Sequence, residues 1–483
     1  MKEFTVILYA GGNSRLSTDL SIPKCLLPVG NRPLIWYSLQ IIQSHSSLAS
    51  APLLILTSGQ CRQILDDYLS TLNITYEIII YRQHHESTSD DQQQTQDELG
   101  TLDILRSCYS RIRTESICLI TCDLFGKVNL APLINMFRVR DASLSMLLLK
   151  TTTPSTAGKE SIVQPGQKIK FTPELEFYTV DQSTDTVTSI RLKADLDEHL
   201  PLRQNILAKY PRTIIRTDLV DAHLYLIKKS CLDIAIRSNY SSFRKEFLPK
   251  MIRQMATDQS LEDLILKPAN ISMMIRQKTT DLDDHADLSR LLEQYDCDNE
   301  QIRGGCYYFI DETQIFRVKH VLSYLEANRQ VIYKHYFTLL LLSFFFICIF
   351  KASSLILSYT NEDITFKDRL EQIQISPDCV VGDGHDIGKK TTVKRTIIGK
   401  NCRIEDKCKL VNCVLLDNVY VKEGVTLQNS VLCSRSIIGS KCEIQNSIIC
   451  LNQQVEANRK LNGETISAIN HESDVYMVYD DEQ

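Results

Sequence analysis

The C-terminal part of the chain carries a periodicity that few folds can use. Aliphatic residues stand at Val381, Ile387, Val393, Ile398, Ile404, Leu410, Leu415, Val421, Leu427, Leu432, Ile438, Ile444, Ile449, Val455 and Leu461. Their spacings run 6, 6, 5, four times over, then 6, 6, so three short faces close a 17-residue coil. Asn412, Asn429 and Asn446 repeat the same 17-residue period. One inward aliphatic per face stacks on its counterpart one coil away, so neighbouring coils bury one another. Gly388, Gly399 and Gly439 each directly follow an inward aliphatic, where a tight corner is expected. This is the hexapeptide-repeat pattern of a parallel β-helix of about five coils. Such modules are mostly structural or assembly units, so the repeat by itself predicts no ligand.

The first half reads differently. Phe4–Ala10, Leu53–Thr57, Ile74–Tyr81, Ser116–Asp123 and Ser143–Lys150 are short runs rich in Ile, Leu, Val or Thr. Helix-like patterns at Pro33–Ile42, Leu102–Ile112 and Leu130–Arg140 lie between several of them. Short buried strands alternating with helices predict a mostly parallel α/β sheet. His84–Asp97 is polar and Gln-rich and reads as a surface insertion. Residues 151–200 look irregular, and 231–300 mostly helical. A length of 483 residues allows two to four domains at ~100–200 residues each. The expected division is an α/β domain over 1–330, a linker over 331–372, the β-helix over 373–465 and an acidic tail over 466–483.

A net charge of −5 offers no broadly basic surface for nucleic acid. The 16 cysteines are scattered, with no CxxC pair and no metal-finger spacing, as expected of reduced cytosolic thiols. The N-terminal apolar run meets Gly11-Gly12 too soon for a signal peptide and reads as a first strand. Tyr336–Phe350 has fifteen uncharged residues before Lys351 interrupts, and a weaker apolar run ends at Leu357. A spanning helix needs ~20 apolar residues. A buried linker or an extra translated segment fits this stretch better, and no membrane association is expected.

The first βα turn carries the chemistry. Leu8-Tyr-Ala-Gly-Gly-Asn-Ser-Arg-Leu16 is followed by Ile22-Pro-Lys24 and Leu27-Pro-Val-Gly30. Gly11 and Gly12 after a strand let backbone N–H groups approach a phosphate. Arg15 and Lys24 add positive charge for a pyrophosphate or triphosphate. Asp123 ends the strand beginning at Cys118. Ligands of such sheets bind at the carboxyl ends of strands, where Asp123 could reach a phosphate-bound Mg²⁺. Gly100-Thr101 opens a helix and could flank a base or ribose. A glycine pair alone would mean only a tight turn; the whole set is far more specific.

This set resembles the sugar-phosphate nucleotidyltransferase family, whose signature is a Gly-Gly-x-Gly-Thr-Arg-Leu loop, a Pro-Lys, a Gly-Thr before a helix and a strand-ending Asp. The resemblance covers roughly residues 1–330 and implies a nucleotidyltransferase-like α/β domain with a Rossmann-type mixed sheet, ahead of a left-handed parallel β-helix. In active members the loop, Arg and Lys bind nucleotide phosphates, and two Asp residues hold Mg²⁺ while the sugar phosphate attacks in line. Three departures weigh against that chemistry here. Asn13 and Ser14 crowd the loop, and no Glu-Lys-Pro occurs. The Trp-x-Asp-Ile-Gly-Thr is also absent: the only Trp is Trp36, and nothing around Asp311 matches. One metal ligand without a sugar-phosphate lysine leaves transition-state charge poorly stabilised. The expectation is no catalytic residue, no metal and no cofactor, with Gly11, Gly12, Arg15, Lys24, Gly100, Thr101 and Asp123 forming a vestigial phosphate pocket. Regulatory binding of a sugar nucleotide there would depend on Arg15 and Lys24.

A nearer resemblance is to the gamma-subunit family of eukaryotic translation initiation factor 2B. Ile22–Tyr37, Leu99–Asp103, Asp141–Leu147, Ala194–Glu198, Leu219–Tyr225 and Leu325–Gln330 carry it, in order along the chain. The apolar stretch Ile332–Phe366 departs from it, since that family has a polar, Pro-containing linker there. The resemblance implies a non-catalytic subunit of a cytosolic guanine-nucleotide exchange factor that promotes GDP-to-GTP exchange on initiation factor 2. It implies pairing with the epsilon subunit, with alpha, beta and delta as further partners in a hetero-decamer. Initiation factor 2 is then the client, with no direct nucleic-acid contact. No helical exchange domain is expected after the β-helix. The competing expectation is an active enzyme of the mannose-1-phosphate guanylyltransferase type.

Overall fold

A computed structural model describes residues 2–11, 15–20, 22–81, 100–150, 176–196, 199–259, 264, 304–311, 315–332, 374–376 and 378–467. The Gln-rich stretch, most of the helical reading beyond 259, the apolar stretch 336–357, the acidic tail beyond 467 and Gly12 lie outside these residues.

Ten strands form one sheet: β1 (Phe4–Tyr9), β2 (Leu53–Ser58), β3 (Glu77–Tyr81), β4 (Ser116–Thr121), β5 (Leu144–Lys150), β6 (Glu176–Asp181), β7 (Thr186–Leu192), β8 (Thr213–Arg216), β9 (Leu219–Lys228) and β10 (Cys306–Asp311). Their order is β8-β6-β7-β10-β5-β9-β4-β1-β2-β3. β1 pairs in parallel with β2 and β4, and β2 with β3. β9 runs antiparallel between β4 and β5, and β10 lies parallel beside β5. β6, β7 and β8 pair antiparallel. The sheet is therefore mixed rather than mostly parallel, because hairpin connections as short as the one between β6 and β7 can only join opposed strands.

β6 and β7 occupy part of the stretch that reads as irregular in sequence. Their apolar residues Tyr178, Val180, Val187 and Ile190 join the hydrophobic core, while buried polar residues such as Thr179, Asp181 and Thr188 interrupt the apolar run between them. The central strands are apolar on both faces because both faces are covered. Phe4, Val6 and Leu8 of β1 pack with helices Leu34–Gln43 and Ala131–Val139, while Ile7 packs on the other side with helices Thr101–Cys108 and Lys229–Arg237.

The C-terminal repeat folds as three parallel sheets of six, six and five short strands. Each strand pairs with the one 17 residues on, as in Leu415 with Leu432 and Leu432 with Ile449. The inward aliphatics form one continuous core, with Ile387 at its margin and Ile375 and Ile466 extending it at either end. The glycines after the inward aliphatics have a different cause from the tight corner expected. A Cβ on Gly399 would lie 2.6 Å from the Asp417 carboxylate and 2.7 Å from the Leu416 carbonyl carbon, so the next coil passes too close for any side chain. Left-handed corners fall elsewhere, many of them at Asn, among them Asn412 (φ 55°), Asn429 (φ 48°) and Asn446 (φ 47°), a backbone region that Asn tolerates. There the side chains stack: Asn412 Nδ2 donates to Asn429 Oδ1 (2.7 Å) and Asn429 Nδ2 to Asn446 Oδ1 (3.3 Å).

One outer face of the β-helix is apolar. Val414, Leu416, Val431, Cys433, Ile448 and Cys450 form a core cluster with Leu27, Val29, Phe125, Val318, Val321 and Tyr324 of the α/β unit. Residues 321–332 are helical and lie at this junction. Tyr324 Oη donates to the Pro28 carbonyl (2.7 Å), Gly30 N to Asn328 Oδ1 (3.0 Å), and Asn31 Nδ2 to the Ile398 carbonyl (3.2 Å). Gly30 has φ 56° and sits 2.6 Å, measured from a notional Cβ, from Val331, so both its conformation and its surroundings require glycine. The described cysteines are all buried and unbridged.

Candidate functional site

The strand order reverses between β1 and β4, and that switch point is where ligands of open α/β sheets bind. Gly11 follows β1 and Asp123 follows β4, so the fold brings both to this crevice. Lys24 arrives on the single turn Lys24–Leu26, started by Pro23 at φ −55°. Of Arg15 only the backbone position, at the start of helix Arg15–Leu20, is described.

Asp123 is 1% exposed, and its carboxylate is fully engaged by its own chain. Oδ2 accepts from Lys24 Nζ (2.7 Å) and Arg317 Nη2 (2.7 Å). Oδ1 accepts from the Thr121 hydroxyl (2.6 Å) and Arg317 Nε (3.2 Å). Arg317 is held there by a short ladder: Phe316–Arg317 pairs antiparallel with Leu124–Phe125, and Val318 N donates to the Asp123 carbonyl (2.9 Å). Burial alone would raise the Asp123 pKa. The Arg317 guanidinium and the Lys24 ammonium outweigh it and hold the carboxyl well below the usual carboxylate range. A cation approaching this carboxylate meets two fixed positive charges and no free lone pair.

The two glycine positions are covered as well. A Cβ on Gly11 would stand 2.0 Å from the Tyr81 hydroxyl, so the end of β3 occupies the close approach available there. A Cβ on Gly100 would stand 2.1 Å from the Ser241 carbonyl. Leu102 N donates to that carbonyl (2.8 Å), and Phe243 N donates to the Thr101 hydroxyl (3.0 Å). The helix start at Gly100-Thr101 thus binds residues 241–243.

Beside Asp123 lies a second buried charge network that sequence reasoning missed. Arg244 pairs with Asp221 (3.0 Å) and with Glu176, and Tyr225 and Tyr178 donate to those same two carboxylates. Burial disfavours the Arg244 charge, but Asp221 and Glu176 raise its pKa overall. His223 sits in the irregularity between Asp221 and Tyr225 at φ 55°. Burial, Arg317 and Arg244 push its pKa well down, so the imidazole is neutral. Burial, Arg317 and Arg244 likewise lower the Lys319 pKa. The available signals were the segment Leu219–Tyr225, which holds Asp221, His223 and Tyr225, and the basic run Arg317-Val-Lys-His320, whose Arg317 pairs with Asp123 194 residues away.

Asp311 closes β10, three strands from β4 in the sheet. At ~4.8 Å per strand that separation is roughly 14 Å, too far to share one ion with Asp123. Among the described residues no group of three or more His, Cys, Asp or Glu is placed to hold a metal. No helix among them is long and apolar enough to cross a membrane.

Residues 358–461 match the family model described as the eIF2B subunit epsilon LbH domain, a left-handed β-helix. The chain is 23% identical over 433 residues to translation initiation factor eIF2B subunit gamma of Dictyostelium discoideum, covering 83% of this chain and 88% of that protein. It is 24% identical to eIF2B subunit gamma of Caenorhabditis elegans and 25% identical to that of Schizosaccharomyces pombe. These two matches span 53% and 56% of this chain, and 60% and 56% of the respective relatives. The chain is thus similar to eIF2B gamma subunits, with a β-helix of the eIF2B kind behind the α/β unit.

Proposed function

We propose that this chain is a non-catalytic, gamma-like subunit of an eIF2B-type assembly in the cytosol. It pairs with an epsilon-like subunit and supports that subunit's exchange of GDP for GTP on initiation factor 2. Alpha-, beta- and delta-like subunits complete the complex. The observation that carries the non-catalytic part is the Lys24–Asp123–Arg317 cluster. A carboxylate that must hold Mg²⁺ for phosphoryl-group chemistry needs free lone pairs facing the substrate. Here the donors at 2.6–3.2 Å already use them. Gly11 and Gly100-Thr101, further expected parts of a nucleotide pocket beside Gly12 and Arg15, face Tyr81 and Ser241. The set is read as a former nucleotidyltransferase pocket filled by its own chain. The docked β-helix supports the assembly part, since repeat stacks of this kind present long rigid faces to partners.

Native mass spectrometry of the tagged chain from its own cells tests the assembly. A heteromeric complex containing an epsilon-like subunit is expected, and a homo-oligomer overturns the reading. The purified chain incubated with mannose 1-phosphate, GTP and Mg²⁺ tests the chemistry. No GDP-mannose is expected, and steady turnover overturns the non-catalytic part.

A further inference from the structure

A second pocket lies away from the strand-end crevice, on the hairpin β6–β7. It encloses about 190 Å³ and is lined by Arg191 of β7, Arg203 before helix Gln204–Lys209, Arg253 of helix Leu248–Ala256, and Leu202 and Leu207. None of the three arginines has an acidic partner among the described residues, although Arg191 and Arg253 are half-buried; Arg203 is exposed at the mouth. Burial and the facing Arg203 and Arg191 guanidinia lower the Arg253 pKa, the expected result of gathering like charges without a counter-charge. Thr179 also lines the pocket; it is 1% exposed, and its hydroxyl has no hydrogen-bond partner among the described residues. Leu202 and Leu207 are 40% and 42% exposed at the same place, an apolar rim beside the positive charge.

We propose that this pocket binds the phosphate group of a small phosphomonoester, with the three arginines on the phosphate and Leu202 and Leu207 against a short organic body. Guanidinium forks match phosphate oxygens geometrically and remain charged even when half buried. A volume of about 190 Å³ is below the ~300 Å³ at which drug-sized ligand pockets begin, so the ligand is small. The site shares no residue with the strand-end crevice, and it stands or falls independently of the subunit reading.

The test is calorimetric titration of the full chain, at fixed ionic strength, with inorganic phosphate and with phenyl phosphate. One saturable site is expected, with phenyl phosphate the tighter ligand. Charge-assisted hydrogen bonds are strong enough that each arginine lost lowers affinity about tenfold or more. An Arg203→Gln/Arg253→Gln double variant therefore loses about a hundredfold or more. Its melting temperature in phosphate-free buffer is not below that of the parent, because mutual repulsion has been removed, so lost binding is separated from misfolding. Absence of saturable binding for both probes overturns the proposal, as does unchanged affinity in the double variant. Equal affinity for the two probes removes the organic body and leaves a site for free phosphate.

Discussion

Replacing Asp123 by Asn separates a structural carboxylate from a metal-binding one. Asp123 is 1% exposed, and the side chains of its partners Lys24 and Arg317 are 14% and 9% exposed. Removing one member of a buried ion cluster costs ~3–5 kcal/mol, because the remaining charges stay buried without compensation. Two cations left facing each other near Lys319 place this case at about 3 kcal/mol or above. At ~2 °C per kcal/mol, the figure for a large unit, the melting temperature falls by about 6 °C. A carboxylate kept for a metal behaves oppositely, since removing a strained functional group often raises stability. The triple variant Asp123→Leu/Lys24→Met/Arg317→Met is expected within about 1.5 kcal/mol of the parent, as such clusters are often replaced by apolar groups without loss. The sign with pH follows from the depressed carboxyl. Its stabilisation is fully present above the ordinary value of 3.8 and is lost as pH falls through the lower folded value. Acid titration of Asp123→Asn is therefore flatter below about pH 4 than that of the parent. Calorimetry in the presence and absence of Mg²⁺ decides. If Asp123→Asn melts at or above the parent, or Mg²⁺ stabilises the parent but not the variant, the structural account of this carboxylate is wrong.

Three further outcomes follow from the fold. Asn429→Ala places a Cβ-bearing residue without the ladder amide at φ 48°, and the urea midpoint of the β-helix should fall by the equivalent of ~1–2 kcal/mol, with Asn429→Gly costing less. Val431→Asp sets a charge on the fully buried junction between the β-helix and helix 321–332, and a single calorimetric transition should divide into two. His320, whose Nδ1 accepts from Ser323 N (3.1 Å), has its pKa lowered from 6.5 to about 4 by burial, Lys319 and Lys24. The unfolded chain binds the extra proton in that window, so stability falls as pH drops from 6.5 towards about 4, and His320→Gln should flatten urea stability measured across it.

How much of this was legible in the sequence depended on how local the cause was. The inward aliphatics of the β-helix could be placed residue by residue, because stacking repeats one contact every 17 residues. The same period also marks the docking face: Val414-Leu-Leu416, Val431-Leu-Cys433 and Ile448-Ile-Cys450 are apolar on both sides of the inward residue. The glycines of the coil are visible in the sequence, but their cause, the approach of the neighbouring coil rather than a turn, is not. In the α/β unit, continuous apolar runs mark β1 to β5, while β6 and β7 escape because polar residues interrupt each run. Lys24 and Asp123 were paired in expectation, but around a ligand. Arg317, which turns that pairing inward, comes from a strap whose register with Leu124–Phe125 no local pattern encodes.

The repeat also makes the length of this chain change in quanta. A block of 17 residues inserted beyond Val455 adds one more turn of the stack and moves the far end outward by ~4.8 Å. Every junction contact, from Asn31 on Ile398 to Cys450 in the shared core, stays where it is. An insertion that is not a whole number of coils rotates each later aliphatic off its column and turns the core outward. Related chains are therefore expected to differ at this end by whole coils, so the reach of the arm can vary while its seat on the α/β unit does not.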